Sequence, residues 1–181
     1  MQREHGFTLI ELMIAVGLTA ILMSMAVPAL DGFVANARQT GAVNDFVSSI
    51  HVARSTAVTT NSRVTICASA SGADCEAVGW DQGWIVFSDL DSDQTVDADE
   101  TIVSTAAGIE GLSIRSAEFG ASMTYRPNGR VMNAGVNGSA GEFTVCDRRG
   151  SDHAKVMIVE LSGRPRFSEY QADGAAPSCG P

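Results

Sequence analysis

Residues 7–30 read FTLIELMIAVGLTAILMSMAVPAL, an apolar run of 24 residues in which Glu11 is the only charged side chain. A helix rises about 1.5 Å per residue, so the run spans about 36 Å and exceeds a bilayer core of about 30 Å. This length predicts a membrane-spanning helix. A cleaved secretory signal is the plainest alternative, since Ser24-Met25-Ala26 is similar to a small-x-small cleavage site. The apolar region of such a signal is only about 7–15 residues long and lacks a carboxylate, which argues against that alternative.

Glu11 needs a partner in any membrane helix. An ionised carboxylate in hydrocarbon costs several kcal/mol unless a cation pairs with it. An ordinary membrane anchor supplies no such cation. The position of Glu11 therefore indicates a role beyond anchoring.

The hexapeptide GFTLIE at residues 6–11, after a short polar leader, resembles the N-terminal signature of type IV pilins and pseudopilins. The resemblance implies that a prepilin peptidase removes residues 1–6 by cutting after Gly6, and that the new N-terminus, Phe7, is methylated. It also implies that Glu11 pairs with the α-amine of Phe7 on a neighbouring subunit during filament assembly. Because N-methylation keeps the amine cationic, this pair can offset a desolvation cost that a lone carboxylate cannot.

Apolar residues continue at helical spacing beyond the membrane run. Their three- and four-residue steps describe one stripe, formed by Phe33, Val34, Ala37, Val43, Phe46, Val47, Ile50, Ala53 and Ala57. We predict one helix over residues 7–60, with residues 7–30 as the transmembrane segment. Residues 31–61 form the amphipathic segment, which needs a surface to pack on.

Residues 62–181 are predicted to form a β-rich globular head. Short runs rich in Val, Ile, Thr and aromatic residues alternate with turn signals such as Pro127-Asn128-Gly129. The runs are residues 63–70, 83–88, 100–105, 112–115, 123–126, 142–146 and 155–161. The predicted fold class is α+β, with the amphipathic part of a long N-terminal helix packed on a C-terminal antiparallel β-sandwich-like head.

Several head segments resemble the GspH/FimT/FimU group of minor pilins and pseudopilins. They are VTICAS around Cys67, GWIVF at 83–87 followed by Asp89-x-Asp91, Gly129-Arg130, FTVC at 143–146 and SGRPR at 162–166. The resemblance spans residues 6–168. It implies a minor subunit that helps to prime or assemble a type IV pilus or a type II secretion pseudopilus, the latter serving protein secretion. The implied partners are other pilin or pseudopilin subunits, the prepilin peptidase and the bacterial inner membrane, with one membrane pass and a periplasmic head.

Four cysteines, Cys67, Cys75, Cys146 and Cys179, lie beyond the membrane run. An even number in a head exported to an oxidising compartment favours disulfides. Zinc is the competing interpretation, but the sequence has no Cys-x2-Cys pair and its histidines are not placed to help. Of the three pairings that four cysteines allow, we prefer Cys67–Cys75, which closes a Ser/Gly loop, and Cys146–Cys179, which ties down the tail. Two free core cysteines are the alternative.

The acidic loop, DLDSDQTVDADE at residues 89–100, has acids at positions 1, 3, 5, 9 and 12, the ligand spacing of an EF-hand, and one more at position 11. Position 6 should be Gly and is Gln94, and the flanking segments read as strands. A solvated hairpin loop is therefore the first interpretation. Weak calcium binding by Asp89, Asp91, Asp93 and Glu100 is the alternative hypothesis, and no other cofactor is predicted.

Charge and motifs exclude some function classes. The net charge is −9, from 12 basic and 21 acidic residues, which argues against a general nucleic-acid coat protein. Eleven of the acidic residues fall in residues 74–118, whereas residues 119–181 carry seven basic residues and leave room for a basic patch. The histidines, His5, His51 and His153, accompany no nucleophile or metalloprotease motif, so no enzyme activity is predicted.

Arg164 and Arg166 flank Pro165, whose fixed backbone angle favours an extended segment with both guanidiniums on one face. This Gly-Arg-x-Arg segment resembles the DNA-contacting C-terminal motif of FimT-type pilins, which implies DNA uptake in natural transformation as an alternative function. Three further cations, Arg148, Arg149 and Lys155, are expected to join the same surface. A solvated strand edge is the structural alternative, since related secretion pseudopilins also end in Gly-Arg.

Overall fold

The computed structural model describes residues 7–132 and 139–180. Within these residues it has one α-helix, eight β-strands and two short 3₁₀ turns at Trp80–Gln82 and Ser151–His153. Helix α1 spans Leu9–Thr60, and the strands are β1 (Val64–Ala68), β2 (Gly83–Ser88), β3 (Ile102–Ala107), β4 (Leu112–Arg115), β5 (Ser122–Tyr125), β6 (Ser139–Asp147), β7 (Lys155–Glu160) and β8 (Pro165–Ser168). The chain divides into two compact units, Met1–Arg38 and Gln39–Pro181.

The first part of α1 has the surface of a membrane span. Its large apolar side chains from Leu9 to Met25 are each 57–78% exposed. The helix is long and apolar enough to cross a bilayer, judged by length and composition. These side chains need lipid or other protein around them, because water would solvate so large an apolar surface poorly.

The strands form two antiparallel sheets of four strands each, in the orders β3-β2-β1-β5 and β4-β6-β7-β8. In the first sheet Ile66 pairs with Val86 on one side and Met123 on the other. In the second, Met157 pairs with Phe143 and with Phe167. The predicted α+β architecture, a long helix with an antiparallel two-sheet head, is confirmed.

The strand bounds differ from the predicted runs by at most three residues at either end, and one strand is additional. Strands β2 and β4 have the predicted bounds, and β6 is longer, extending from Ser139 to Asp147. Strand β8 is additional to the seven predicted runs. Pro165 begins this strand at the sheet edge, where a missing backbone N–H removes no ladder hydrogen bond to an outer neighbour.

One hydrophobic core joins the second part of α1 to both sheets. The Phe46 ring meets Trp80, Trp84 and Phe143 edge to face, with ring centroids 5.4, 4.9 and 4.8 Å apart. Trp84 belongs to the first sheet and Phe143 to the second. Phe46 therefore occupies the point at which helix and sheets meet, and its packing favours one helix position in the head.

The predicted apolar stripe is buried over only part of its length. Phe33 and Val34 are 71% and 44% exposed, and Ala37 is exposed as well. Hydrophobic burial begins at Ala42 and Val43, and the expectation that the stripe is covered from Phe33 onward is wrong for this single chain. Helical spacing identifies which residues share a face, but it does not identify where the covering surface begins.

Gln39 is the first buried residue of the head unit, with 1% of its surface exposed. Its Nε2 donates hydrogen bonds to the carbonyl oxygens of Val145, at 3.2 Å, and His153, at 2.9 Å. A buried amide satisfied in this way fixes the helix relative to the turn that joins β6 and β7.

Both preferred disulfides are present. Cys67 pairs with Cys75, eight residues later, and Cys146 with Cys179, 33 residues later. The second bridge holds the tail against β6, where Arg115 Nη1 also donates to the carbonyl of Gly180. Closing the longer loop removes more conformational freedom from the unfolded chain than closing the shorter one.

Replacing Phe46 with Ala is expected to lower the free energy of unfolding by about 3–5 kcal/mol, because it leaves a cavity between the sheets. The measurement is urea unfolding of the full chain in detergent micelles, followed by the fluorescence of Trp80 and Trp84. Phe33→Ala is the matched control and should change the free energy by no more than about 0.5 kcal/mol, since an exposed ring makes few contacts. Equal decreases for the two variants would contradict a core centred on Phe46.

Candidate functional site

The N-terminal candidate site consists of Phe7 and the first turn of α1. Phe7 is 84% exposed, and Thr8 Oγ1 accepts a hydrogen bond from the backbone N–H of Glu11 at 3.3 Å, as a helix N-cap does. Gly6, the predicted cleavage position, lies outside the described residues. The Glu11 side chain is exposed among apolar neighbours.

No cation of the described part of α1 lies near Glu11. The first basic residue after it is Arg38, 27 positions further along the chain. At the rise of a helix this separation is about 40 Å, far beyond the reach of an ion pair. A partner for Glu11 must therefore come from outside helix residues 9–60.

The second candidate site is an open cleft at one end of the head, which we call the arginine cleft. It is lined by Arg54, Asn128, Arg130, Glu160, Ser162 and Arg164. Arg54 comes from α1 and Glu160 ends β7, and the others come from the turns that follow β5 and β7. Three guanidiniums against one carboxylate make this cleft locally basic in a chain of net charge −9.

Two tight turns hold the arginine cleft in shape. Arg54 Nε donates to the carbonyl oxygen of Gly129 at 3.1 Å, and the hydroxyl of Tyr125 donates to that of Gly163 at 3.1 Å. Burial raises the pKa of Tyr125, so its hydroxyl stays protonated as a donor. Gly163 has φ +78° and packs against the Gly129 carbonyl so closely that a Cβ would collide with it. Backbone contacts between the two turns therefore define the shape of the cleft, and the cleft is open without any side-chain rearrangement.

Arg166 lies beside this cleft and is partly neutralised. Its Nε is 3.2 Å from Glu160 Oε1, and both side chains are about half exposed, at 51% and 48%. An ion pair this exposed contributes little to stability and exchanges readily with other charged groups.

The structure does not bring the other three predicted cations to the Arg164 end of β7, so the expectation that they share one surface with Arg164 is wrong. Lys155 is the first residue of β7. The carbonyl oxygen of Arg164 accepts a hydrogen bond from the backbone N–H of Glu160, the last residue of the same strand. Five residues of strand separate these ends by about 17 Å. Lys155 Nζ instead donates to Thr40 Oγ1 at 2.8 Å, and Arg148 lies in the turn at the Lys155 end.

Arg149 is committed to a structural pair. Its guanidinium donates hydrogen bonds to the carboxylate of Asp147, with Nε 2.9 Å and Nη2 2.5 Å from Oδ2. The hydrogen bond from Arg149 is the main cause that holds the pKa of Asp147 below its usual value. This pair stabilises the β6–β7 turn above the ordinary pKa of the carboxyl and loses strength as the pH falls.

Sequence reasoning missed Arg54 and Arg130 as members of the basic site. Arg54 is simply a polar position on the amphipathic helix, and Arg130 follows a turn glycine. Only the packing of α1 against the two turns brings them to Arg164. The position of Arg54 beside the apolar stripe was the available signal. Residues that flank the stripe must lie at the border of the surface that covers it.

The acidic loop brings together three of its four predicted ligands. Carboxylate oxygens of Asp89, Asp91 and Asp93 lie within 4.8 Å of one another. Glu100 is not among them, so its assignment as a fourth ligand is wrong in this structure. Its two oxygens accept the backbone N–H groups of Leu90, at 2.7 Å, and Asp97, at 3.2 Å, which closes the base of the loop.

The loop has a strong negative field. The pKa of Asp97 is raised, chiefly by the charge of Asp93, with smaller contributions from desolvation and from Asp91 and Asp99. Like charges so close together repel one another unless a cation screens them.

Comparison with known proteins agrees with the N-terminal motif and with the fold. The Prokaryotic N-terminal methylation motif matches residues 1–27, and the model of the Type II transport protein GspH family matches residues 42–163. A comparison with curated protein sequences gives no match.

Three solved structures are similar. The type IV minor pilin FimU of Pseudomonas aeruginosa PAO1 has a TM-score of 0.59 at 20% identity, over 82% of this chain and 99% of that one. A second crystal form of FimU has a TM-score of 0.56 at 20% identity, over 78% and 99%. The minor pseudopilin EpsH from the Type 2 Secretion System of Vibrio cholerae has a TM-score of 0.49 at 8% identity, over 72% and 96%.

At these identities the FimU structures establish the fold alone. The GspH family model, in contrast, matches most of the chain from the buried part of α1 to the turn before β8. The chain therefore belongs to the Type II transport protein GspH family, whose members are structural pilin and pseudopilin subunits and not enzymes.

Proposed function

We propose that this chain is a minor filament subunit that helps to prime or assemble a type IV pilus or a type II secretion pseudopilus. The prepilin peptidase removes residues 1–6 and Phe7 is methylated, which leaves a cationic amine at the start of the helix. Residues 7–30 hold the subunit in the bacterial inner membrane, with the head in the periplasm. In a pseudopilus the same assembly step serves protein secretion.

Glu11 is the observation that carries this proposal. The carboxylate is exposed on an apolar helix, and the nearest basic residue along that helix is about 40 Å away. A buried charge that loses water needs a partner of opposite sign, and the methylated amine of Phe7 on a neighbouring subunit has the right charge. When the N-termini of two such helices lie side by side, the amine of Phe7 on one subunit can pair with the carboxylate of Glu11 on the other. This pairing requires no change in the head.

The apolar surface of α1 supports the same proposal. Side chains such as Leu9, Leu22 and Met25 are exposed by 67–78% in the single chain. Lipid covers such a surface before assembly, and the helices of neighbouring subunits cover it afterwards. Phe33, which lies beyond the 24-residue apolar run, adds apolar surface that a neighbouring subunit would bury.

Glu11→Ala should insert into the membrane but fail to enter the filament. Removing the charge lowers the cost of insertion, whereas it deletes the partner of the Phe7 amine. The measurement is the amount of the variant in sheared or detergent-extracted filaments relative to the membrane fraction. Asp45→Asn, which removes an exposed carboxylate from the same helix outside the apolar run, is the control and should be incorporated normally. Normal incorporation of Glu11→Ala would contradict the proposed role.

Co-purification of the native subunit with its partners identifies the filament to which it belongs. Recovery of the subunit with pilus components, or with secretion components, decides between the two assemblies that share this anchor. Recovery with neither, from cells that make both, would contradict membership of a filament.

DNA capture in natural transformation is a second candidate function, favoured by the arginine cleft and by Arg166. Arg54, Arg130 and Arg164 converge on an open cleft, and a guanidinium fork suits phosphate oxygens because it donates two parallel hydrogen bonds. The contacts involve charge rather than base edges, so binding would be nonspecific. The overall charge of −9 opposes long-range attraction, and a Kd of about 10⁻⁴–10⁻⁶ M at physiological salt is expected.

Arg130→Gln combined with Arg164→Gln should weaken DNA binding and lower the salt dependence of log K by about 1 for each arginine that no longer binds a phosphate. The measurement is fluorescence anisotropy of labelled duplex DNA with the full chain in detergent micelles, at several salt concentrations. Arg148→Gln with Lys155→Gln is the matched control, since it removes two cations from the opposite end of the same sheet. Equal DNA affinity for wild type and both variants would reject the cleft as a DNA site and leave the structural role standing.

A further inference from the structure

We propose that Asp89, Asp91 and Asp93 form a calcium site where the chain leaves β2. One carboxylate oxygen of each lies within 4.8 Å of the others, a spacing that one ion can bridge. The site lies in the head and is independent of the filament role and of DNA binding.

Asp89 is the residue that distinguishes this site from an ordinary acidic loop. Its side chain is completely buried, at 0% exposure. Oδ2 accepts a hydrogen bond from Thr65 Oγ1 at 2.5 Å, and Thr65 in turn shares a hydrogen bond of 2.6 Å with Thr124. Oδ1 has no hydrogen-bond donor among residues 7–132 and 139–180.

An unpaired oxygen on a buried carboxylate is costly to leave without a donor or a cation. The two threonines orient Asp89 through Oδ2 and leave Oδ1 for a ligand. Asp91 and Asp93 are exposed and complete the cluster from the solvent side. An ion can therefore reach the site from solvent through Asp91 and Asp93, and the buried carboxylate of Asp89 is a ligand with a fixed position.

Asp91 and Asp93 are already held in position by the turn. Asp91 Oδ1 accepts the N–H of Asp93 at 3.2 Å, and Asp93 Oδ1 accepts the N–H of Thr95 at 2.7 Å. Each carboxylate has a second oxygen that can face an ion. The hydroxyl oxygen of Ser92, between them in sequence, is also buried without a partner among the described residues.

These ligands favour calcium over other cations. Carboxylate oxygens are hard donors, and neither Cys nor His is in the cluster to favour zinc. Calcium accepts six to eight oxygens in irregular geometry and can complete its shell with water, whereas magnesium demands a near-ideal octahedron. With three carboxylates and without Glu100, the expected Kd is about 10⁻⁴–10⁻³ M, the range of extracellular calcium modules.

The ion would fix the acidic loop over the smaller hydrophobic cluster of the head. Val96, in the middle of the loop, packs on the cluster formed by Cys67, Ile85 and Phe87. Gln94, at the position where an EF-hand has Gly, takes φ +65° and accepts a hydrogen bond from the Ser122 hydroxyl. A bound ion would neutralise the carboxylates of the site and remove the repulsion between them. The contacts of Val96 and Gln94 would stay the same.

The test is calorimetric titration of CaCl₂ into the full chain in detergent micelles, with thermal unfolding as a second readout. Wild type should bind with the Kd given above and unfold at a higher temperature when calcium is present. Asp91→Asn with Asp93→Asn should bind at least tenfold more weakly and lose the thermal shift. Asparagine keeps the Oδ1 acceptor of both turn hydrogen bonds, so this variant should fold.

Asp97→Asn with Asp99→Asn is the matched control, because it removes the same charge from the same loop outside the cluster. It should bind calcium within about twofold of wild type. Absence of binding by wild type at 10-fold above the expected Kd would overturn the proposal. Equal weakening by the two double variants, or equal affinity for MgCl₂ and CaCl₂, would also overturn it, since each outcome indicates a diffuse counterion atmosphere and not a site.

Discussion

The edge-to-face packing of Phe46 against Trp80, Trp84 and Phe143 is the contact on which the head depends. Trp84 lies in one sheet and Phe143 in the other, so a single helix side chain sets where both sheets meet α1. Residues buried at helical spacing beyond it, Ile50, Ala53 and Ala57, extend the same seam. The same part of the helix carries Arg54, whose Nε donates to the carbonyl oxygen of Gly129 in the turn after β5.

Much of this architecture could be predicted from local pattern. The uncharged run after Glu11, the three- and four-residue steps of the stripe and the alternation of β-branched residues with turn residues each identify an element by its own period. The bounds of β2 and β4 follow directly from such runs. The cysteine pairing, preferred because one pair closes a short loop and the other ties down an Ala/Gly/Pro tail, also agrees with the structure.

What the sequence could not predict depends on contacts between distant segments. Arg54 and Arg164 are 110 positions apart, and no spacing rule relates them. The same limit explains why the grouping of Lys155 with Arg164 is wrong: both are near β7 in sequence, yet they lie at opposite ends of it. Glu100 fits an EF-hand by spacing but bonds to backbone N–H groups, because flanking strands close the loop differently from flanking helices.

The match to the N-terminal methylation motif and the proposed assembly role both concern the Gly6–Phe7 bond. The proposed role requires that Phe7 become a cationic N-terminus, since Glu11 otherwise has no partner within reach along α1. Mass spectrometry of the native protein, isolated from the membrane, tests this requirement most directly. The expected result is an N-terminal peptide that begins at Phe7 and carries one added methyl group. A native chain that retains residues 1–6, with the Gly6–Phe7 bond intact, would contradict the proposed role.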